Sequence, residues 1–175
     1  PTSSALPAWS TEGKYIAYLK SSSSENFTMY GENYLAVISA DGGKPNLLSA
    51  KIDRPVRNAR WAKNGKSVTV LMEDDRQCYP VQFTTDGKMK KLITGDRSFS
   101  QLEYNKSLDK WLVEMSEPQL PSELYTLENG ITRRLTNVSD SFLAPVRLCT
   151  VEGFKSTSKD GTIVSGLLYR PVNAK

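Results

Sequence analysis

A pattern of aromatic residue, short polar turn and apolar strand occurs three times, and a hairpin signal built on Asp-Gly or Asn-Gly follows each copy. Helical periodicity is nowhere sustained. Together these predict an all-β chain: a partial β-propeller of about three four-stranded antiparallel blades, followed by a C-terminal β-hairpin. Blades are expected at about 5–50, 56–95 and 99–137, all within a propeller portion spanning 1–140, with a linker and hairpin over 141–175.

The first copy reads Ala8-Trp9-Ser10-Thr11-Glu12-Gly13-Lys14-Tyr15-Ile16-Ala17-Tyr18-Leu19. The second, Arg60-Trp61-Ala62-Lys63-Asn64-Gly65-Lys66-Ser67-Val68-Thr69-Val70-Leu71, matches it position for position. The third, Glu103-Tyr104-Asn105-Lys106-Ser107-Leu108-Asp109-Lys110-Trp111-Leu112-Val113, replaces Trp by Tyr and is expected to carry one extra turn residue. Trp9 and Trp61 lie 52 residues apart, and Trp61 and Tyr104 lie 43 apart. Both separations suit a four-stranded blade of about 40 to 50 residues.

Each copy then runs through a strand, a Gly-containing turn and a closing strand. Tyr34 to Ile38 leads through Asp41-Gly42-Gly43 to Leu47-Leu48-Ser49; Val81 to Thr84 leads through Asp86-Gly87 to Leu92-Ile93-Thr94; Glu123 to Leu127 leads through Asn129-Gly130 to Arg134-Leu135-Thr136. Tight hairpin turns need backbone φ above zero, which Gly adopts freely and Asn or Asp at small cost. Within the first strand after the aromatic, Tyr15, Ala17 and Leu19 alternate with Ile16 and Tyr18, a period of two. The polar run from Ser21 to Asn26 reads as a long solvated hairpin loop, with a binding loop as the alternative. After Asn137 the signature stops. Phe154 to Thr157 and Ile163 to Tyr169 form a separate hairpin around Lys159-Asp160-Gly161-Thr162, closed by Arg170-Pro171.

Composition narrows the chemistry. Lys plus Arg exceed Asp plus Glu by only 23 to 19 and are scattered, so no basic stripe for nucleic acid is expected. No run of 18 apolar residues exists to cross a bilayer, so no membrane span is expected. Cys78 and Cys149 make no metal-ligand spacing and read as inert thiols, with a disulfide as the alternative. Histidine is absent, which removes the commonest general base near neutral pH and the commonest metal ligand. No catalytic, cofactor or metal residues are therefore assigned. The sequence opens on Pro1 without Met or a signal-like segment and is expected to be an excised or processed piece.

The repeats resemble the WD-like propeller repeats of TolB-type proteins and of the prolyl oligopeptidase family, where a turn like Ser-Pro-Asp-Gly-Lys precedes the strand; here it stands as Ser10-Thr11-Glu12-Gly13-Lys14. The tail favours the second. Pro121-Ser122-Glu123-Leu124-Tyr125, Arg134-Leu135-Thr136-Asn137, Phe154-Lys155-Ser156, Asp160-Gly161-Thr162 and Pro171 are similar to the exit from the last blade into the α/β-hydrolase domain of acylaminoacyl- and dipeptidyl-peptidase relatives. The resemblance implies a non-catalytic propeller portion of a serine exo- or oligopeptidase, gating or positioning peptide substrates for its own hydrolase domain. The alternative is a stand-alone TolB-like propeller that binds proteins. In the peptidase family the hydrolase supplies Ser on a GxSxG elbow with Asp and His. This chain has neither GxSxG nor His, so alone it is expected not to hydrolyse peptides by that mechanism. Cytoplasmic and periplasmic compartments both stay open.

Several residues carry two readings. Glu73-Asp74-Asp75-Arg76 is the nearest candidate for a substrate anchor, or else a solvated turn, and it lacks the spacing of a calcium loop. Arg54, Arg57 and Arg60 line one face or are scattered surface arginines. Trp9, Trp61 and Tyr104 are expected to pack between blades rather than stack on a ligand. Sequons at Asn26, Asn105 and Asn137 are about as many as nine Asn give by chance. Closed propellers commonly need about four to eight blades, so three leave two sheet faces open, and self-association through the terminal blades is expected.

Overall fold

The computed structural model describes residues 7–21 and 31–172. Most of the predicted loop, Ser22 to Asn26, and the Asn26 sequon lie outside those residues.

Three four-stranded antiparallel sheets follow one another along the chain, each in the order of its sequence. The first holds β1 (Ala8–Trp9), β2 (Tyr15–Ser21), β3 (Asn33–Ser39) and β4 (Asn46–Leu47). The second holds β5 (Val56–Trp61), β6 (Ser67–Asp74), β7 (Gln77–Thr84) and β8 (Met89–Lys91). The third holds β9 (Ser98–Asn105), β10 (Lys110–Glu117), β11 (Leu120–Glu128) and β12 (Ile131–Arg134). A single helical turn, α1 (Asp140–Leu143), buries none of its side chains, and β13 (Thr150–Thr157) pairs with β14 (Ile163–Arg170) as a separate hairpin. The all-β fold of three meander blades and a hairpin is as the sequence predicts.

The repeat is visible in the register. Trp9 stands opposite Ile16, Trp61 opposite Val68 and Tyr104 opposite Trp111, a seven-residue step in every blade. The third turn therefore holds no extra residue. Lys110 occupies the place of Tyr15 and Ser67, and not that of Lys14 and Lys66. The Asn129-Gly130 signal gives a two-residue connection between β11 and β12 with φ of 50° and 79°, the left-handed pair that a primed turn requires.

Burial explains the composition of the strands. The middle blade has neighbours on both sides, and Ser67 through Met72 of β6 are all buried. A strand covered on both faces needs a continuous run of apolar and β-branched residues, which Val68-Thr69-Val70-Leu71 supplies. In the last blade β10 alternates instead: Trp111, Val113 and Met115 are buried, while Leu112 is 40% exposed on the outer face. The first strand of each blade lies across the preceding one, β5 against β1, β2 and β3, and β9 against β5, β6 and β7. One buried cluster consequently runs through all three sheets, from Ala17 and Leu35 by way of Val70 and Phe83 to Leu102 and Leu127.

Polar links tie the inner strands together. Asn58 Nδ2 donates to Gln101 Oε1 at 3.2 Å, Arg60 forks onto the Glu103 carboxylate with Nε to Oε2 at 3.0 Å, and Arg57 Nη2 donates to the Phe99 carbonyl at 3.3 Å. A bulge explains why two arginines three apart both face blade 3. Asn58, at φ 56°, interrupts the ladder between Arg57 and Arg60, so their cross-strand partners are Leu71 and Thr69 on one side of β6.

Candidate functional site

The corner between β6 and β7 consists of Asp75 and Arg76 alone, with φ of 44° and 70°. Two side chains in left-handed backbone cost on the order of 1 kcal/mol each, so tertiary contacts must hold them. Arg76 Nε lies 3.3 Å from Asp75 Oδ1, and its Nη1 donates to the Gly166 carbonyl at 2.7 Å, reaching across to the C-terminal hairpin. Two glycines make that approach feasible. A Cβ on Gly153 would stand 3.2 Å from Arg76 Nη1, and Gly166 is overlain by the Phe154 ring opposite it.

An open cleft of about 430 Å³ beside this corner gathers Arg54, Arg57, Glu73, Asp74, Arg76 and Cys78. Nearly every charge in it is matched. Asp74 accepts from the Tyr79 hydroxyl at 2.6 Å and from Arg54 Nε at 2.8 Å, with Lys91 Nζ 3.6 Å away and resting over the Tyr79 ring. The Tyr79 hydroxyl first, and Arg54 next, hold the Asp74 carboxyl below its ordinary range. Arg57 Nη1 pairs with Glu73 at 3.2 Å, and its Nη2 lies 3.4 Å from Cys78 Sγ. Burial nevertheless pushes the Cys78 thiol up, outweighing Arg57. Cys78 and Cys149 are both free thiols.

The structure thus brings the acidic corner together with Arg54 and Arg57 and leaves Arg60 apart, paired with Glu103 at the inner edge. Trp61 packs between blades: it is 4% exposed, its Nε1 donates to the Ala8 carbonyl at 2.8 Å, and it stacks on Tyr15 at 6.4 Å. Tyr104 leans on Trp111 at 4.6 Å and donates its hydroxyl to Asp109. Trp9 holds the same register but is 59% exposed. Among the described residues no three His, Cys, Asp or Glu side chains converge as a metal set.

A second cavity, of about 330 Å³, adjoins the cleft through Arg76, Gln77 and Ser98. Its other walls are the connection between blades 2 and 3 (Asp96, Arg97), the β10–β11 corner (Glu117, Pro118) and the hairpin (Val151, Leu167, Tyr169). Gln119 Nε2 also donates to the Cys149 carbonyl at 2.7 Å, so the hairpin is attached to two successive blade corners on one side of the sheets.

The segment leaving blade 3 is secured by a buried acid. Glu123, whose side chain is 1% exposed, accepts from the Thr136 hydroxyl, from the Ser139 amide at 2.9 Å and from Arg134 Nη2 at 3.1 Å. The Thr136 hydroxyl first, then the Ser139 amide and Arg134, hold its carboxyl down to about 2. Arg134 continues to Asp140 at 2.6 Å, and Thr136 Oγ1 accepts from the Leu124 amide at 2.9 Å. Glu123, Leu124, Arg134 and Thr136 belong to the exit motif, and Ser139 and Asp140 follow it. The motif gives no sign of the role of Glu123, and no local pattern marks Arg97, Gly153 or Gly166.

The fold and its corner cavities define a three-blade segment of a β-propeller with an appended hairpin. No protein-family model matches the chain. Among solved structures it is similar to the uncomplexed acylaminoacyl peptidase of Pyrococcus horikoshii, with a TM-score of 0.72 and 16% identity over 91% of this chain and 24% of that one. The β-propeller domain of the Trilobed protease from Pyrococcus furiosus matches with a TM-score of 0.58 and 19% identity over 75% of this chain and 38% of that one. A TolB-type protein of Agrobacterium tumefaciens gives 0.58 and 18% over 74% and 44%. Among curated proteins, the uncharacterised peptidase YuxL of Bacillus subtilis (strain 168) is 21% identical over 127 residues, 72% of this chain. The chain spans 19% of YuxL and about a quarter of the acylaminoacyl peptidase.

Proposed function

We propose that this chain is the non-catalytic propeller portion of a serine exo- or oligopeptidase and that it gates or positions peptide substrates for an α/β-hydrolase domain. The observation that carries this reading is the placement of the β13–β14 hairpin against the corners of blades 2 and 3, where Arg76 and Gln119 hold it over a cavity. The acylaminoacyl peptidase likeness extends over 91% of the chain and so reaches into the tail, whereas the TolB-type likeness covers 74%. That difference supports the peptidase reading over the stand-alone module.

The test is expression of the complete reading frame that encodes these residues. A GxSxG elbow followed by Asp and His is expected, with labelling by a fluorophosphonate probe and hydrolysis of short peptide anilides, both abolished by Ser→Ala at the elbow. The 175-residue chain alone should remain unlabelled. A frame that encodes no such elbow overturns the proposal. On the same reading, Trp9 and the outer face of blade 3 are covered by further blades, and the isolated chain self-associates through them. Light scattering at micromolar concentration checks this, and a strictly monomeric species with a cooperative melt would sink it.

A further inference from the structure

We propose that the cavity between blades 2 and 3 and the hairpin binds the free α-carboxylate of a short peptide or N-acylated amino acid with an apolar side chain, with Arg97 as the anchor. This rests on the peptidase reading only for the supposition that the ligand is a peptide. Its volume of about 330 Å³ is at the small end of ligand sites and suits one or two residues.

Arg97 is the cation in this cavity whose charge is left over. Arg76 is engaged by Asp75 and by the Gly166 carbonyl. Arg97 makes one long side-chain contact, from Nη1 to Thr132 Oγ1 at 3.4 Å, and its Nε is buried without a hydrogen-bond partner. Among the described residues no carboxylate forms an ion pair with it. A guanidinium without a carboxylate partner keeps its charge available, and the Nη edge of its planar fork fits an incoming carboxylate through two parallel bonds. The guanidinium lies over Gly95, at φ 115°, where a Cβ would stand 3.3 Å from Nε.

The rest of the lining selects the ligand. Val151, Leu167 and Tyr169 of the hairpin and Pro118 of the β10–β11 corner form an apolar wall, with Leu167 44% and Tyr169 57% exposed. Asp96 and Glu117 stand in the same cavity, and Asp96 accepts from the Gln77 amide. Two carboxylates in the same lining add a cost to each negative charge on the ligand, so the fit is to a single carboxylate followed by an uncharged side chain. The hairpin supplies the apolar wall and the propeller supplies the charge, so the site exists only where the two meet.

The test is titration of the 175-residue chain with N-acetyl-leucine, its C-terminal amide and N-acetyl-aspartate amide, followed by calorimetry and by NMR shifts. The acid is expected to bind in the millimolar range or tighter, and the amide about tenfold more weakly or worse. Arg97→Gln should abolish the preference for acid over amide, and Arg97→Lys should retain part of it. Tyr169→Ala should weaken N-acetyl-leucine more than N-acetyl-glycine, a readout that stands if the Arg97 variants do not fold. Equal binding of acid and amide, no binding of either, or an unchanged preference in Arg97→Gln overturns the assignment. Preference for the aspartate side chain would also overturn it, because the site would then accept an acidic protein segment. Because none of these titrations involves a hydrolase domain, their failure is distinct from a reading frame that lacks GxSxG.

Discussion

Trp9 and Trp61 share one repeat position but not one environment, and truncating each to Ala separates packing from pattern. Trp61 is 4% exposed, stacks on Tyr15 and donates to the Ala8 carbonyl. Removing a large buried aromatic side chain costs about 3–5 kcal/mol, part of it for the cavity left behind. Trp61→Phe restores most of the volume and should cost about 1–2 kcal/mol, chiefly the lost hydrogen bond. Trp9 is 59% exposed, so Trp9→Ala should cost less than about 1 kcal/mol. The gap of at least about 2 kcal/mol between the two alanine variants is a factor of roughly 30 in the folding equilibrium. For a chain of this size Trp61→Ala should lower Tm by roughly 6–20 °C. Urea and thermal melts followed by far-UV circular dichroism measure both, at a concentration where light scattering gives all variants the same mass. Equal destabilisation by Trp9→Ala and Trp61→Ala would refute the claim that Trp61 is held by its packing on blade 1.

Other expectations follow from the site geometry. Glu123→Gln should destabilise the chain at neutral pH. Because the folded carboxyl is held down to about 2, the ionised group's contribution is present above about pH 4.5 and is lost as pH falls towards 2. Wild type and variant should therefore converge in acid melts over that window, and a constant difference down to pH 2 would contradict it. A double-mutant cycle on Arg60 and Glu103 should return a coupling of only about 0.5–1 kcal/mol, since Glu103 is 60% exposed, and the exchange Arg60→Glu with Glu103→Arg should recover most of what either single change loses. Thiol titration with a disulfide reagent at pH 8 should modify the partly exposed Cys149 first and Cys78 only on unfolding. Equal rates would show that burial does not protect Cys78.

What was legible in the sequence was local. Aromatic, turn and strand lie within about a dozen residues, and Asn129-Gly130 dictates its own backbone, so both survive translation into coordinates. The surplus residue expected in the third copy is not there, because the ladder runs seven residues from Tyr104 to Trp111 just as it does from Trp9 to Ile16, and turn sequence alone does not record that register. The Asp75-Arg76 corner lacks glycine and so gave no hairpin signal, although its backbone is of the same left-handed kind. Arg54, Arg57 and Arg60 are evenly spaced along the chain, yet they pair with three different carboxylates, Asp74, Glu73 and Glu103, which the spacing does not record. Arg97 and Glu123 were opaque because their surroundings are built by segments far apart, or by loss of water, neither of which a linear pattern records.

The fork between Arg60 and Glu103 joins two residues that hold the same place in successive repeats, with Ala8 in that place in the blade before. Duplicating the middle unit beside itself would set guanidinium against guanidinium at the inner rim, and duplicating the last would oppose two carboxylates. Copying a charged unit beside itself therefore carries a like-charge cost at the rim of the same small order as the pair's coupling, about 0.5–1 kcal/mol, whereas Ala8 leaves the first junction without one.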